Sequence, residues 1–271
     1  MRNVGVCSWS LRPTDAASLA AAVKDCGLGA VQLALDPIRE GRWPEAASVA
    51  ALQRAGIRLL SGMMATAGED YSTLESIQRT GGIRPDSTWQ QNLKAAEANA
   101  ALAKRLGLGL VTFHAGFLPH EPRDAERLRM IERLRAVADV FAASGVSVAL
   151  ETGQESAETL IGVLRDLNRP GIGVNFDPAN MILYGMGEPV AALQRLAPWV
   201  RQVHIKDATP AARGGEWGTE VPAGGGAVAW TRFFGVLRQS LPAVNLVIER
   251  EAGNDRVGDV RIARRLVEEN A

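Results

Sequence analysis

Four side chains that bind metal ions well stand at the ends of four short apolar segments in the second half of the chain. They are Glu151 closing VSVALE, Asp177 closing GIGVNFD, His204 in VRQVHIKD and Glu249 in NLVIERE. Parallel strands carry polar residues at their carboxyl ends in this way, and α/β folds build active sites there. Three carboxylates and one imidazole suit a divalent cation with mainly oxygen ligands. We therefore predict one such ion, with Mn²⁺ preferred and Mg²⁺, Co²⁺ or Zn²⁺ as alternatives.

The four residues are predicted to point to the same side of a sheet. Side chains alternate along a strand, so Asp177 shares a face with Asn175, and His204 shares a face with Lys206. The apolar neighbours then face the helices, and the polar residues face the inside of the fold. A single carboxylate at a strand end is usually a loop residue or a helix cap. Four such positions on successive strands favour a shared metal site.

Eight strand-like segments alternate with helical patterns along the chain. Strict alternation implies a parallel sheet, and eight repeats without a linker predict a closed (β/α)₈ TIM barrel, an α/β fold with a single domain over residues 1–271. The segments 71–85 and 208–229 are longer than ordinary connections and are predicted to be loops that cover the site. The predicted strands are 4–9, 30–35, 58–63, 109–114, 146–151, 171–177, 200–206 and 245–249, and the helices are 16–26, 44–55, 88–106, 124–144, 157–167, 189–196, 231–239 and 257–268.

Composition narrows the range of partners and locations. Thirty basic residues balance thirty acidic ones, so no net positive field attracts nucleic acid. No segment approaches the roughly 18–20 apolar residues that span a bilayer, so no membrane partner is expected. The first residues lack the pattern of a secretory signal, and two cysteines are too few for a disulfide framework. We expect a cytoplasmic protein.

Several motifs, taken in order, resemble one known group of barrels. The segments ALETG, NFDPANM, VHIKDA, AGGGAVAWTRFF and VIERE are similar to the xylose isomerase-like TIM-barrel superfamily, which includes ketose 3-epimerases, inosose dehydratase, hydroxypyruvate isomerase and the second family of AP endonucleases. From the ketose 3-epimerases, the resemblance implies Glu151, Asp177, His204 and Glu249 as metal ligands. It also implies that Glu151 and Glu249 exchange the substrate proton and are the catalytic residues.

The chain departs from the epimerase pattern at three places. Asn180 stands where the epimerases have a substrate-contacting histidine. The arginine that follows the ligand histidine in epimerases has its nearest counterpart in Arg213, nine residues after His204. Glu155 resembles an additional family glutamate, although the spacing differs. These departures leave the particular sugar, and the type of reaction, open.

Further residues are candidates for contacts with a substrate. His114 is predicted either to contact a substrate hydroxyl or to hold a metal ligand in place. Lys206 is predicted either to polarise a substrate oxygen or to pair with a carboxylate. Trp9 is suited either to stack on a sugar or to pack in the core. The glycine-rich turn 224–226 offers amides of the kind that bind phosphate, although similar turns occur in relatives that act on unphosphorylated sugars. The predicted substrate-binding residues are His114, Asn180, Lys206, Arg213, Glu155 and Trp9.

The chemistry implied is proton transfer next to a carbonyl. A cation on the carbonyl oxygen stabilises the enediolate that forms when the neighbouring carbon loses its proton. The leading hypothesis is a metal-dependent isomerase or epimerase of a small sugar, keto-sugar or hydroxy-ketone, with homo-oligomers common among relatives. The alternatives are a dehydratase or lyase on a cyclic polyol or keto-glycoside, and a non-catalytic sugar-binding barrel. An endonuclease is disfavoured because the chain has three histidines, too few for a histidine-rich zinc cluster.

Overall fold

Eight parallel strands close into a barrel in the computed structural model, which describes residues 2–270. Around the barrel the order is β1-β10-β7-β6-β5-β4-β3-β2, so the strands follow one another in sequence, with a two-stranded hairpin inserted outside the barrel. The predicted (β/α)₈ barrel is confirmed. The strands are β1 (Val4–Cys7), β2 (Ala30–Ala34), β3 (Arg58–Met63), β4 (Leu110–Phe113), β5 (Ser147–Glu151), β6 (Ile172–Phe176), β7 (Val200–Ile205), β8 (Asp207–Thr209), β9 (Thr219–Val221) and β10 (Asn245–Ile248).

The helices begin where the sequence offers a capping side chain. Asp15 accepts a hydrogen bond from the backbone N–H of Ser18 at 2.7 Å, and Ser156 accepts one from Thr159, as predicted for that position. The helices are α1 (Ala16–Asp25), α2 (Asp36–Arg39), α3 (Glu45–Arg54), α4 (Leu74–Thr80), α5 (Asp86–Arg105), α6 (Ala125–Ala143), α7 (Ala157–Leu167), α8 (Pro178–Leu183), α9 (Pro189–Leu196), α10 (Trp230–Ser240) and α11 (Arg256–Asn270).

The structure differs from the predicted elements at several places, and it adds two short helices, α2 and α8, that were not predicted. The first strand ends at Cys7, and Trp9 lies in the short 3-10 helix Ser8–Leu11 that follows it. The segment 71–85 is not simply a loop: it contains α4, which begins with a capping box at Thr73. The segment 208–229 contains most of an antiparallel hairpin, in which β8 pairs with β9 outside the barrel.

The apolar and polar faces of the strands separate as their alternation requires. Phe176 of β6 is fully buried and packs against Phe233 of α10, with ring centroids 6.0 Å apart, whereas the adjacent Asn175 is fully buried among polar side chains. The carboxyl ends of β5, β6, β7 and β10 are neighbours in the barrel and bring the predicted ligands to one place. Among residues 2–270, no helix is both long and apolar enough to cross a membrane.

Candidate metal and substrate site

The four predicted ligands meet inside the carboxyl end of the barrel. Nδ1 of His204 lies 3.5 Å from Oε1 of Glu151, 3.4 Å from Oδ2 of Asp177 and 3.3 Å from Oε2 of Glu249. All four residues are buried, and one potential ligand atom from each lies within 4.8 Å of the others. We call these residues the carboxylate–histidine cluster.

Two atoms of the cluster bear directly on whether it fits a cation. Nδ1 of His204 and Oδ2 of Asp177 are buried and have no hydrogen-bond partner among the described residues. Buried polar atoms without a partner are costly, and such atoms call for a ligand. Atoms that bind one cation at roughly 2.0–2.2 Å lie roughly 3–4 Å from one another, which agrees with the separations in the cluster. The donor set therefore fits one divalent cation.

The backbone around Asp177 explains why one of its oxygens is free. Asp177 ends β6 and caps α8, and its Oδ1 accepts a hydrogen bond from the backbone N–H of Asn180 at 2.9 Å. Its own backbone N–H donates to the hydroxyl of Thr152 at 2.8 Å. The cap fixes the rotamer, so Oδ2 is turned toward His204.

The other ring nitrogen of His204 enters a buried polar network that the sequence reasoning missed. Nε2 lies 2.8 Å from Oε1 of Gln32, which also accepts a hydrogen bond from Nε2 of Gln202 at 3.0 Å. Because an amide oxygen only accepts, Nε2 of His204 carries a proton, and Nδ1 is the nitrogen that faces the carboxylates. Burial lowers the pKa of the ring, but Cys7, Glu151 and Glu249 outweigh burial and raise that pKa well above its usual range, so a cation would replace the proton on Nδ1. Gln202 also donates to Asn175, and Asn175 donates to Glu151.

Cys7 offers a second grouping with His204 and Glu249 that fits a cation less well. Its sulfur lies 3.7 Å from Nε2 of His204, on the side of the ring away from the carboxylates. Burial raises the pKa of the Cys7 thiol far above its usual value, so the sulfur stays protonated. A thiol binds metal poorly, and the carboxylate–histidine cluster is the better site.

Lys206 balances part of the negative charge. Its Nζ donates to Glu249 at 2.9 Å, to Glu251 at 2.7 Å and to Asn180 at 3.3 Å. Burial raises the pKa of Glu249, but Lys206 and His204 outweigh burial and hold it well below its usual range. Burial raises the pKa of Asp177 to about 6, with Lys206 opposing the shift. Glu249 is therefore ionised at neutral pH.

Glu151 and His114 form the other side of the cluster. Burial raises the pKa of Glu151, but His114 and His204 outweigh it and lower the pKa overall. Oε1 of Glu151 accepts a hydrogen bond from Nδ2 of Asn180 at 3.0 Å and lies 3.8 Å from Nε2 of His114. The structure thus places His114 and Asn180 beside a predicted catalytic carboxylate.

A cavity of about 480 Å³ opens onto the cluster. Of the predicted substrate-binding residues, Trp9, His114, Asn180 and Lys206 line it, together with Glu249. Nε1 of Trp9 donates to Oε1 of Glu249 at 2.8 Å, so this indole holds a ligand of the cluster rather than only packing. The sequence reasoning missed further lining residues at the end of β3, on the segments after β2, β3 and β6 and on the β8–β9 connection, among them Asp36, Met63, Met64, Thr66, Glu69, Tyr71, Leu183, Tyr184 and Trp217.

Two predicted substrate-binding residues lie elsewhere. Arg213 is exposed in the connection between β8 and β9 and is not among the residues that line the cavity. Glu155 is buried just before α7, and it does not line the cavity either. Burial raises the pKa of Glu155 to about 8.

The glycine-rich turn 224–226 has its amides engaged by the chain itself. Oδ2 of Asp207 accepts hydrogen bonds from the backbone N–H groups of Gly224 at 2.9 Å and Gly226 at 3.1 Å, and from Nε1 of Trp230 at 2.8 Å. A Cβ at Gly226 would stand 2.2 Å from Oδ1 of Asp207, so only glycine permits this approach. The internal carboxylate of Asp207 occupies the place that a phosphate would take.

Comparison with known proteins gives a family match over most of the chain. A model of the xylose isomerase-like TIM barrel family matches residues 20–269. A solved xylose isomerase domain protein from Planctomyces limnophilus is 32% identical, with a TM-score of 0.84, over 92% of this chain and 89% of that one.

Two curated relatives match shorter parts of the chain. A probable L-ribulose-5-phosphate 3-epimerase from Mycoplasma pneumoniae is 28% identical over 184 residues, which are 64% of this chain and 57% of that protein. A 3-dehydroshikimate dehydratase from Bacillus anthracis is 29% identical over 90 residues, or 32% of each chain. The chain thus spans less than two thirds of the length of either curated relative.

Proposed function

The chain belongs to the xylose isomerase-like TIM barrel family, and we propose that it is a divalent-metal-dependent isomerase or epimerase of a small sugar or keto-sugar. One observation carries this proposal. Nδ1 of His204 and Oδ2 of Asp177 are buried without partners among the described residues, and they face each other and the carboxylates of Glu151 and Glu249, the last of which lines a cavity.

The residues of the carboxylate–histidine cluster would hold the cation, and Mn²⁺ suits their mixture of three carboxylates and one imidazole. When bound, such an ion polarises a substrate carbonyl and makes the adjacent carbon more acidic. The network behind His204 engages Nε2 and so leaves Nδ1 facing the carboxylates, and the α8 cap keeps Oδ2 of Asp177 free. The protein thus sets the ligand atoms before the ion arrives.

Glu249 and Glu151 would move the substrate proton. Glu249 lines the cavity, and Lys206 and His204 keep its pKa low, so it is an ionised base at neutral pH. Glu151 reaches the cavity through Asn180 and His114, on the other side of the cluster. One ionised carboxylate would take the proton from carbon, and the other, after taking a proton from solvent, would deliver that proton to the opposite face. Alternatively, the first would return its proton to the neighbouring carbon while a proton moves between the two substrate oxygens. The first path epimerises the sugar, and the second isomerises it.

Lys206 and Asn180 would orient the substrate oxygens. Lys206 is held between Glu249 and Glu251, and its hydrogen bond to Asn180 at 3.3 Å is the longest of the three it makes. A substrate hydroxyl beside Asn180 can replace that bond at small cost. His114 lines the same cavity and places a donor near any oxygen bound beside Glu151.

A dehydratase is the second candidate, because one curated relative is a 3-dehydroshikimate dehydratase. Removal of a proton beside a carbonyl by Glu249 is the same first step, and loss of a β-hydroxyl then replaces return of the proton. The two reactions share this first step and are distinguished by their products.

Solvent exchange tests the proposal. The protein is incubated with Mn²⁺ and L-ribulose or D-fructose in D₂O, the metal is removed with a chelator, and the sugars are examined by NMR and mass spectrometry. We expect deuterium on a carbon next to the carbonyl, together with a new sugar of unchanged oxygen content. A product that has lost water would instead support the dehydratase.

Matched variants decide whether the cluster is responsible. Glu151→Gln and Glu249→Gln should each lower the exchange rate by roughly 10²–10⁴-fold, the range expected for loss of a general acid or base. Glu75→Gln makes the same change on a side chain that is 82% exposed on α4, and it should have no effect. Exchange that persists in both cluster variants, or none with any carbonyl sugar in the intact protein, would contradict the proposal.

A further inference from the structure

The cavity has an aromatic part distinct from the carboxylate–histidine cluster. Tyr71, Tyr184 and Trp217 line it, and we call them the aromatic subsite. The rings of Tyr184 and Trp217 are 4.9 Å apart and steeply inclined at 63°. Tyr71 is 45% exposed, unusually open for so large a side chain in this protein. These rings come from the segment before α4, the end of α8 and the β8–β9 connection, none of which belongs to the barrel wall.

Two polar atoms near these rings have no partner. Nε1 of Trp217 and Oγ1 of Thr66 are buried without a hydrogen-bond partner among residues 2–270, and both residues line the cavity. A buried donor and a buried hydroxyl without partners are expected to meet polar groups of a ligand. Aromatic faces pack against the apolar face of a sugar ring, while the N–H and O–H groups bind its hydroxyls. The combination suits a hydroxylated ring.

The charges around the cavity disfavour an anionic group. Four carboxylates and one lysine line it, at Asp36, Glu69, Glu249, Glu251 and Lys206, and no arginine of the described residues does. Asp36 is paired with Arg39 at 2.7 Å, so Glu69, Glu249 and Glu251 supply the negative charge that faces Lys206. Lys206 has three donors, and all three are engaged by Glu249, Glu251 and Asn180. A phosphate or carboxylate placed here would meet like charges, which is costly when solvent is excluded.

The glycine-rich turn leads to the same conclusion independently. Its amides at Gly224 and Gly226 point to the carboxylate of Asp207, which is buried. An external phosphate would have to displace a carboxylate that is covalently part of the chain. This glycine-rich turn is therefore closed to a phosphate ligand.

We propose that the substrate is an uncharged glycoside, with a keto-sugar at the carboxylate–histidine cluster and a second hydroxylated ring on the aromatic subsite. The placement of the keto-sugar rests on the proposed function of the cluster. The volume of about 480 Å³ lies in the range of roughly 300–1,000 Å³ that encloses a whole drug-sized ligand. The charges of the cavity disfavour phosphorylated and carboxylated substrates of the kind that the names of the two curated relatives print.

Binding of matched ligands tests this without turnover. The probes are D-fructose, D-fructose 6-phosphate, and the glucosyl-fructose isomers turanose, maltulose, leucrose and isomaltulose, which differ in the oxygen that carries the second ring. Titration calorimetry of the metal-loaded and metal-free protein gives each Kd, and fluorescence of Trp9 and Trp217 reports occupancy of the cavity. We expect at least one disaccharide to bind roughly tenfold more tightly than D-fructose. The phosphate should bind on the order of tenfold more weakly than D-fructose, with the gap narrowing at high salt.

Variants of Trp217 assign the effect to the aromatic subsite. Trp217→Ala should bring the ratio of the disaccharide affinity to the D-fructose affinity close to one. Trp217→Phe retains an aromatic ring, so it should retain the part of this preference that comes from stacking. Trp199→Ala, outside this cavity, should leave the ratio unchanged. Equal or tighter binding of D-fructose 6-phosphate, or no preference for any disaccharide, would overturn the inference even if proton exchange occurs. The expected order of binding without exchange would overturn the proposed function and leave the subsite standing.

Discussion

Replacing Gln32 with leucine should weaken binding of a divalent cation at the carboxylate–histidine cluster. Gln32 is fully buried, and its Oε1 lies 2.8 Å from Nε2 of His204, while its Nε2 donates to the hydroxyl of Thr112 at 2.7 Å. The amide oxygen accepts the proton of Nε2, so Nδ1 is the nitrogen left to bind a cation in place of its own proton. Without this acceptor, the ring can rotate or place its proton on Nδ1, toward the carboxylates.

The expected loss follows from the role of groups that orient metal ligands. Removal of such a partner typically costs 10–100-fold in metal affinity, or about 1.4–2.7 kcal/mol. Leucine also leaves Nε2 of His204 without its acceptor, whereas Nε2 of Gln202 retains its bond to Asn175 at 3.1 Å. One buried donor is then unpaired, which should lower the free energy of unfolding by about 1–3 kcal/mol.

Competition with a fluorescent chelator measures the affinity for Mn²⁺, and urea unfolding of the metal-free protein measures stability separately. Gln32→Glu is the matched variant: like leucine, a carboxylate cannot donate to Thr112, but it still accepts from His204. It should bind Mn²⁺ at least as tightly as the unaltered protein. If leucine has no effect on Mn²⁺ affinity, or if glutamate lowers it equally, the hydrogen bond to His204 does not position the ligand.

Two further predictions concern buried charges outside the polar network. Glu155 has its pKa raised by burial from 4.5 to about 8, so the folded protein holds a proton there that the unfolded chain releases, and stability should fall as pH rises between these values. Glu155→Gln should remove that fall. The free energy of unfolding should then rise by at most roughly 4–5 kcal/mol at pH 8.5 and should not change at pH 4, as measured by urea unfolding at both pH values. Equal effects at the two pH values would contradict the burial argument. Lys206→Met leaves Glu249 and Glu251 without their cation and should destabilise the metal-free protein by about 3–5 kcal/mol, with part of the loss restored by Mn²⁺. Unchanged urea unfolding in the metal-free variant would show that the ion pairs contribute little.

The barrel and the four cluster residues could be predicted because both depend on short-range patterns. Strand ends are marked by the change from β-branched residues to polar ones, and alternation fixes the face of Asp177 and His204. Closure of the barrel then brings the ends of β5, β6, β7 and β10 together without any further information from the sequence. Local signals were sufficient here because the fold itself supplies the long-range contacts.

The covering segments could not be predicted in the same way. The capping box at Thr73 and Ser76 is a local signal for α4. The signal was overlooked because the whole segment was predicted to be a loop from its length. The hairpin of β8 and β9 is joined by nine residues rather than by a tight turn, so no turn signature marks it. Arg213 lies in that connection. It was predicted to bind substrate because it follows His204 by nine residues, but it is not among the residues that line the cavity.

The polar layer beneath the cluster follows from the alternation that placed the ligands, although its pairing does not. Asn175 and Gln202 stand two residues before Asp177 and His204, so they share the inner face, and they hydrogen bond to each other at 3.1 Å. Gln32, which is 172 residues from His204 in sequence, joins them only through the tilt and stagger of the closed barrel. Buried polar groups require partners, and this layer satisfies Nε2 of His204 but not Nδ1. The unpaired nitrogen among three carboxylates is therefore the point at which the internal network ends and where the proposed cation would complete it.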